Sequence, residues 1–143
     1  MGIDIDPVGE RLFLQSVAVS LSSAQLLHLN SAPVQLVAAP GAGKWINVVE
    51  VAYSFTFGTV GYDVAAQPVA TFFAADTDFT SPQDDGAPIT AEASQVINSP
   101  PSGSDTFTSL AANQALVFGT GTSNPTLGNG TLKIVVYYTV ESV

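Results

Sequence analysis

The sequence predicts an all-β fold, a single β-sandwich of jelly-roll or Greek-key type that takes in residues 1–143. Its longest apolar run, Lys44–Phe57, contains no Gly and no Pro, and from Val49 onward large apolar residues alternate with small or polar ones. The last stretch, Thr131–Val140, alternates in the same way. A period of two is typical of strands with one buried face. Turn-forming Gly and Pro separate further short apolar runs, and no long helical period appears, which favours a sandwich or small barrel.

The chain begins with a segment that differs from the rest. Residues 1–10 are predicted to form an extended arm, either a free tail or an anchor on a neighbouring molecule. The first strand is predicted at Phe13–Leu21. Ser22 and Gln25, three residues apart, fit a capping box, which predicts one helical turn after this strand.

The long apolar run is predicted to be the central strand of the domain. A short strand at Val34–Ala38 precedes it, and the tight turn Pro40–Gly43 joins the two. Residues 34–57 therefore read as a β-hairpin.

The second half of the chain contains fewer regular patterns. A turn is predicted at 58–66, and a long loop around 75–105 is expected to contain edge strands at Ile89 and at Ser94–Ile97. Such a long loop is uncommon in a compact domain and is often functional. The remaining predicted elements are strands at Gln67–Ala74, Thr106–Leu110, Ala115–Phe118 and Thr131–Val140, with a turn at 111–114 and a loop at Gly119–Gly130.

The charge balance restricts the class of partner. Twelve acidic residues face three basic ones, for a net charge of -9, and charged residues make up 10% of the chain against about 25% in ordinary domains. Interface cores are depleted of charge, so we interpret the scarcity as a sign of packed assembly, with a Ser- and Thr-rich monomer as the alternative. A net negative charge disfavours nucleic-acid binding. No run approaches the ~20 apolar residues of a membrane span, and we expect no membrane partner.

Two motifs that suggest catalysis or nucleotide binding are weak. His28, the one histidine, lies among leucines, and no nucleophile signature such as GxSxG accompanies it, so we expect a partly buried structural residue. Ala38–Lys44 superficially resembles a phosphate loop, but Ala38 stands where Gly is needed and Trp45 where Ser or Thr is needed. The sequence predicts no enzyme and no cofactor.

The acidic residues indicate no definite metal site. The densest cluster lies in the long loop; EF-hand spacing is absent from it, so a solvated loop is favoured, and calcium binding stays open. Glu50, the one acid inside the central strand, is expected to be exposed or paired with Lys44 or Lys133. The acidic cluster consists of Asp76, Asp78, Asp84 and Asp85.

Two further patterns have a structural and a sugar-related interpretation. Asn129-Gly130-Thr131 is formally a glycosylation site, but a turn before the last strand explains it better. Aromatic residues that could stack on sugars lie at strand positions, where core or interface roles are more common; they are Trp45, Tyr53, Tyr62, Tyr137 and Tyr138.

Four sequence motifs resemble those of a known family. They are SSAQLLxL at 22–29, PVQLVAAPGAGK at 33–44, FGTxxY at 57–62 and NPTxGNGTLKIxVYY at 124–138. With these motifs the chain resembles the small β-structured virion proteins of tailed bacteriophages. The likeness covers the stretches Leu21–Phe57 and Leu116–Val140, whereas residues 67–112 do not match the pattern.

The resemblance implies a structural role. Such proteins are capsid decoration (cement) proteins or head or tail fibre modules, and they are commonly trimeric. We therefore expect a homotrimer made in the host cytoplasm, bound to the major capsid protein on the capsid surface of the virion. The alternative is a receptor- or carbohydrate-binding module of a tail fibre or spike, which would use the loops at 75–105 and 119–130.

Overall fold

Antiparallel strands account for most of the computed structural model, which describes residues 3–5, 11–64, 69–73, 79–81, 88–99, 112–121 and 123–142. The strands are β1 (Ile3–Ile5), β2 (Arg11–Phe13), β3 (Gln15–Leu21), β4 (Val34–Val37), β5 (Lys44–Thr56), β6 (Val69–Phe73), β7 (Phe79–Ser81), β8 (Gln95–Ser99), β9 (Leu116–Thr120) and β10 (Thr131–Ser142). One short helix, α1 (Ser23–Leu26), follows β3. The predicted all-β class is confirmed.

Two four-stranded sheets contain most of these strands. Their orders are β3-β10-β5-β8 and β4-β9-β6-β7, while β1 and β2 form a separate two-stranded sheet. The pairs β3–β10, β4–β9, β5–β8 and β6–β7 are nested, so the chain runs out to β6 and returns alongside itself from β7. Successive nested pairs fall in alternate sheets.

Residues from both sheets form one hydrophobic core. Tyr53 of β5 and Phe118 of β9 are both fully buried, and their ring centroids lie 5.8 Å apart across the boundary between the sheets. β10 contributes Leu132, Ile134 and Val136, which confirms the alternation predicted for the last strand. All five residues of β9 are buried, and the loop predicted from Gly119 begins after Thr120.

The predicted hairpin at 34–57 is wrong. The turn forms, with Gly41 at φ 107°, Gly43 at φ 71°, and the Lys44 N–H donating to the Gly41 carbonyl oxygen at 3.2 Å. However, β4 pairs with β9 in one sheet and β5 pairs with β10 and β8 in the other. The turn therefore carries the chain between sheets, because the long β5–β10 ladder buries far more of β5 than four-residue β4 could.

β5 is an interior strand, as predicted, but its inward face changes at Val49. Tyr137 of β10 lies opposite Glu50 and the next residue, Tyr138, lies opposite Val48, so Val49 is the extra residue of a β-bulge. Val49 is 46% exposed, which contradicts its predicted inward position. Even-numbered Ile46 and Val48 face the core before the bulge, and odd-numbered Val51, Tyr53 and Phe55 face it afterwards.

The turn after β3 agrees with the sequence except at His28. The Ser22 hydroxyl accepts the Gln25 N–H and the Gln25 side chain accepts the Ser22 N–H, so the capping box is confirmed. Leu26 and Leu29 are fully buried, whereas His28 is exposed rather than partly buried. Residues three apart share a face in a helical turn, and the histidine lies on the other side.

Three further expectations are corrected. The predicted strand Phe13–Leu21 is divided between β2 and β3 at Leu14. Ile3–Ile5 of the arm is not a free tail, since it pairs with Arg11–Phe13 of the same chain. Ile89 is buried in a turn instead of forming an edge strand, because its side chain belongs to the core.

Other predictions in the second half have mixed outcomes. Ser94–Ile97 corresponds to β8, which is confirmed as an edge strand, and β7 lies inside the predicted long loop. The acidic cluster and the strand predicted at Thr106–Leu110 fall outside the described residues.

Candidate functional site

The side of the β3-β10-β5-β8 sheet that points away from the core is mainly small and uncharged; we call it the outer face. Side chains alternate across a sheet, so the residues between the buried ones lie on this side. Around the bulge both Val49 and Glu50 belong to it, because their neighbours Val48 and Val51 face the core. It comprises Ser16, Ala18 and Ser20 of β3, Trp45, Asn47, Val49, Glu50, Ala52, Ser54 and Thr56 of β5, Val96 and Asn98 of β8, and Thr131, Lys133, Val135, Tyr137, Thr139 and Glu141 of β10.

Apolar side chains on the outer face are unusually accessible. Val96 is 69% exposed, Val49 is 46% exposed and Tyr137 is 37% exposed. Regular alternation along β5 would point Val49 toward the core, but the bulge places it on the outer face. These residues give the face apolar surface that a partner protein can cover.

Three charged residues lie on the outer face. Glu141 is engaged locally, since its Oε1 accepts hydrogen bonds from Asn47 Nδ2 at 2.8 Å and from Thr139 Oγ1 at 2.9 Å. Lys133 lies opposite Ser54 and Glu50 lies opposite Tyr137, so neither faces an opposite charge across the sheet. The expected exposure of Glu50 is only partial, and the register does not place Lys133 or Lys44 across from it.

A second candidate surface lies where the loop after β5 meets the loop before β10. The carboxylate of Asp63 accepts the backbone N–H groups of Thr126 and Leu127, each at 2.7 Å, and the Thr126 hydroxyl. These hydrogen bonds, that of the Thr126 side chain first, lower the pKa of Asp63 below its ordinary 3.8. The loop carrying Leu127 is thereby fixed to the loop after β5.

Asn129 makes a second link between the same loops. Its Oδ1 accepts the N–H groups of Thr59 and Val60 at 2.8 and 2.9 Å, and its Nδ2 donates to Thr59 Oγ1 at 2.8 Å. The side-chain amide at the formal glycosylation site is therefore already used inside the chain. Val60 and Leu127, on the two joined loops, are 44% and 58% exposed.

The third link is aromatic. Tyr62 is buried, donates a hydrogen bond to the Gly130 carbonyl oxygen at 2.8 Å, and packs edge-on to Phe55 with ring centroids 6.2 Å apart. Burial raises the pKa of Tyr62 to about 12. Core positions for Tyr53 and Tyr62 agree with the preference for core over sugar stacking, while Tyr137 lies on the outer face.

Sequence reasoning missed Asp63 and Asn124 as residues that shape these loops. Asn124 Oδ1 accepts the N–H groups of Asn30 and Ser31 at 2.8 and 3.1 Å, close to the helical turn. The signal available was residue type, because Asn and Asp side chains favour hydrogen bonds to backbone N–H groups in turns. Their partners are 63 to 94 residues away in sequence, so the pattern alone could not identify them.

The residues tested for chemistry do not form a reactive group in the described parts of the chain. His28 borders a shallow depression formed with Gln25, Ser31 and Val34, where its own backbone carbonyl accepts from Ala32 N–H at 2.7 Å. No described cluster of three or more His, Asp or Glu side chains could hold a metal ion. Within the described residues no helix has the length and apolarity needed to cross a membrane.

Comparison with known proteins found no matching family model, no matching curated protein and no matching solved structure.

Proposed function

We propose that this chain is a structural virion protein, a capsid decoration (cement) protein that assembles as a homotrimer on the outside of a tailed-phage head. The observation that carries the proposal is the outer face, which is mainly small and uncharged and exposes the side chains of Val96, Val49 and Tyr137. The motif resemblance points to the same class of protein.

The strand pairing supports a β-sandwich of jelly-roll type. Eight strands form four nested antiparallel pairs that alternate between two four-stranded sheets, as in a long hairpin that has been rolled up. Jelly rolls are common in viral capsid proteins and also in lectins. The architecture therefore supports both the main proposal and its alternative.

The proposed mechanism is mechanical. Copies associate with each other and with the major capsid protein, each contact burying on the order of 1,000 Å² or more. Buried area does not convert directly into affinity, but repeated contacts over a regular shell add avidity. Burial of small uncharged side chains avoids the desolvation that charged ones would require.

Ser54→Lys tests the role of the outer face. Ser54 is half-buried in the middle of β5, and a lysine there places a charge inside the proposed contact. We expect weaker self-association in sedimentation velocity and weaker binding to purified expanded phage capsids. The control is Gln35→Lys, which adds the same charge at an exposed position of β4 in the other sheet. An oligomer unaltered by Ser54→Lys rules this face out, and a chain that binds no capsid removes the cement role.

The alternative is a receptor- or carbohydrate-binding module of a tail fibre or spike. The specific observation in its favour is exposed Leu127 on a loop that Asp63 and Asn129 hold in place. Binding loops held by a rigid scaffold are typical of recognition modules. A strong hit on a glycan array or host-cell surface that Leu127→Ser abolishes would favour this function over the first.

A further inference from the structure

We propose that two copies of this chain pack outer face to outer face about a two-fold axis, so that Lys133 of each copy meets Glu50 of the other. The inference deepens the self-association proposed for this face and rests on it. It names the occupant of the face as a second copy of the chain related by a two-fold axis, so the three-fold contact of the proposed trimer lies on another surface.

Lys133 and Glu50 are symmetrically placed on the outer face. One cross-strand row of the sheet contains Ala18, Val135, Ala52 and Asn98. Lys133 lies two residues before Val135 on β10, and Glu50 lies two residues before Ala52 on β5. β5 and β10 run in opposite directions, so "before" means opposite ends of the sheet for the two strands. The two charged residues are therefore on opposite sides of the row and on neighbouring strands.

The spacing prevents the two charges from pairing within one copy. At about 3.3 Å per residue along a strand and about 4.8 Å between strands, their Cα atoms are about 14 Å apart. Each charge instead projects from a face that is otherwise nearly uncharged.

A two-fold axis can exchange their positions. The axis lies in the contact plane, passes through the middle of the row, and runs at right angles to the line from Lys133 to Glu50. Lys133 of one copy then faces Glu50 of the other, and the reciprocal contact forms at the same time, as an isologous interface requires. The line from Lys133 to Glu50 is tilted about 20° from the strand direction, so the two-fold axis makes the strands of the two copies cross at about 40°. Aligned sheets typically cross at about 30°.

The centre of this arrangement is suited to close approach. Val135 and Ala52 lie beside the axis, Ala18 lies near it, and all three carry short side chains. Sheets pack face to face at about 10 Å, a spacing that long central side chains would prevent. The exposed side chains of Val49, Val96 and Tyr137 lie on the same face and become available for burial.

The face is large enough for a reversible contact. About this axis the strands of each copy overlap those of the other as far as Thr131 and Thr56, four residues from the row, so the shared part is about 26 Å long and up to about 20 Å wide, or about 450 Å² per copy. Two copies together bury about 900 Å², which is below the range for stable interfaces and within that of weak, reversible ones. Two chains of net charge -9 repel each other overall, so the reciprocal pairs also supply local attraction and set the register.

Charge reversal tests the pairing in solution without capsids. Sedimentation equilibrium of the full chain should show reversible two-fold association at micromolar concentration. Lys133→Glu and Glu50→Lys should each weaken it by about tenfold or more, because each variant brings two pairs of like charges together. The controls are Lys44→Glu and Glu92→Lys, which make the same changes at exposed positions off the outer face and should leave the association within about twofold of the wild type.

Mixing the two variants is the decisive measurement. In a mixed pair, Glu at 133 of one copy meets Lys at 50 of the other, and the native Glu50 of the first meets the native Lys133 of the second. Both attractive contacts are restored, so the mixture should form heterodimers more tightly than either variant forms homodimers. A general loss of folding in either variant would abolish the mixed species as well, and circular dichroism of each variant identifies that case before mixing.

Other results overturn the inference. A wild-type chain that stays monomeric or forms only trimers contradicts it, and so does a mixture of folded variants with no preference for heterodimers. The outcome is separable from the virion role: a chain that forms the two-fold pair without binding capsids loses only the cement function. A chain that binds capsids without pairing loses only this inference.

Discussion

The hydroxyl of Tyr62 donates a 2.8 Å hydrogen bond to the carbonyl oxygen of Gly130, joining the loop after β5 to the loop before β10. Both residues are buried, and the ring of Tyr62 packs against Phe55 of the core. The contact connects parts of the chain 68 residues apart and closes one end of the β5–β10 ladder.

Tyr62→Phe should lower the free energy of unfolding by about 1–2 kcal/mol. The ring remains in place, but the buried Gly130 carbonyl loses its hydrogen-bond donor, and a buried acceptor without a donor is costly. Urea unfolding followed by circular dichroism measures the change. Tyr137→Phe, at a partly exposed ring on the outer face, should stay within about 0.5 kcal/mol of the wild type. Equal effects of the two substitutions would contradict the assigned role of the Tyr62 hydroxyl.

Gly128→Ala should lower the free energy of unfolding by about 2–4 kcal/mol. Gly128 has φ 131°, which side-chain-bearing residues rarely adopt, and an added Cβ would overlap the Tyr62 ring. Gly61→Ala is the matched control, since nothing lies within 4 Å of its added Cβ and its φ is not in the positive range. There we expect no loss and up to about 1 kcal/mol of gain from reduced freedom of the unfolded chain. Thermal or urea unfolding of both variants makes the comparison, and similar values for the two would be inconsistent with the packing.

Acid should weaken the loop contact made by Asp63. Hydrogen bonds from Thr126 and Leu127 lower its pKa below 3.8 in the folded chain, so the unfolded chain holds the proton more tightly. The stabilising contribution is therefore complete above about pH 4 and is lost as the pH falls through the lower folded pKa.

Melting temperatures of Asp63→Asn between neutral pH and the acid limit test this assignment. The variant cannot ionise at position 63, so its stability should depend less on pH below about 4 than that of the wild type. Glu92→Gln, at an exposed loop position, should keep the wild-type dependence. A steeper acid loss in Asp63→Asn than in the wild type would refute the direction of the shift.

Deletion of Val49 should change the free energy of unfolding by no more than about 1 kcal/mol. Without the bulged residue β5 alternates regularly, so Val48 and Ile46 keep their inward positions and their present partners on β10. Deletion of Asn47 is the comparison: it keeps the bulge but turns Ile46 away from the core, and a buried aliphatic side chain contributes about 1.5–3 kcal/mol. Urea unfolding distinguishes the two variants, and a deletion of Val49 as costly as that of Asn47 would contradict the assignment of Val49 as the extra residue.

The local part of the fold could be predicted because its causes are local. Alternation in Thr131–Val140 identified the buried row of Leu132, Ile134 and Val136, and the spacing of Ser22 and Gln25 identified the helical cap. The candidate site follows from the sequence only in outline: the small or polar residues that alternate with the large ones of β5 belong to the outer face, but Val49 was grouped with the buried residues. A bulge depends on how β10 matches β5, and nothing in the sequence of β5 alone reveals the extra residue.

The sequence by itself determined which segments become strands, where the chain turns, and how few charges its surface carries, since each depends on residue type and near neighbours. Tertiary structure decided the partners of β4 and β5, the bulge at Val49, the loop contacts of Asp63, and the placement of Lys133 and Glu50 on one face. The physical reason is that strand partners are chosen by the apolar area that distant segments bury together. The turn at Gly41 and Gly43 sets the direction of the chain over a few residues. It does not determine which strands pair with β5, the strand that follows the turn.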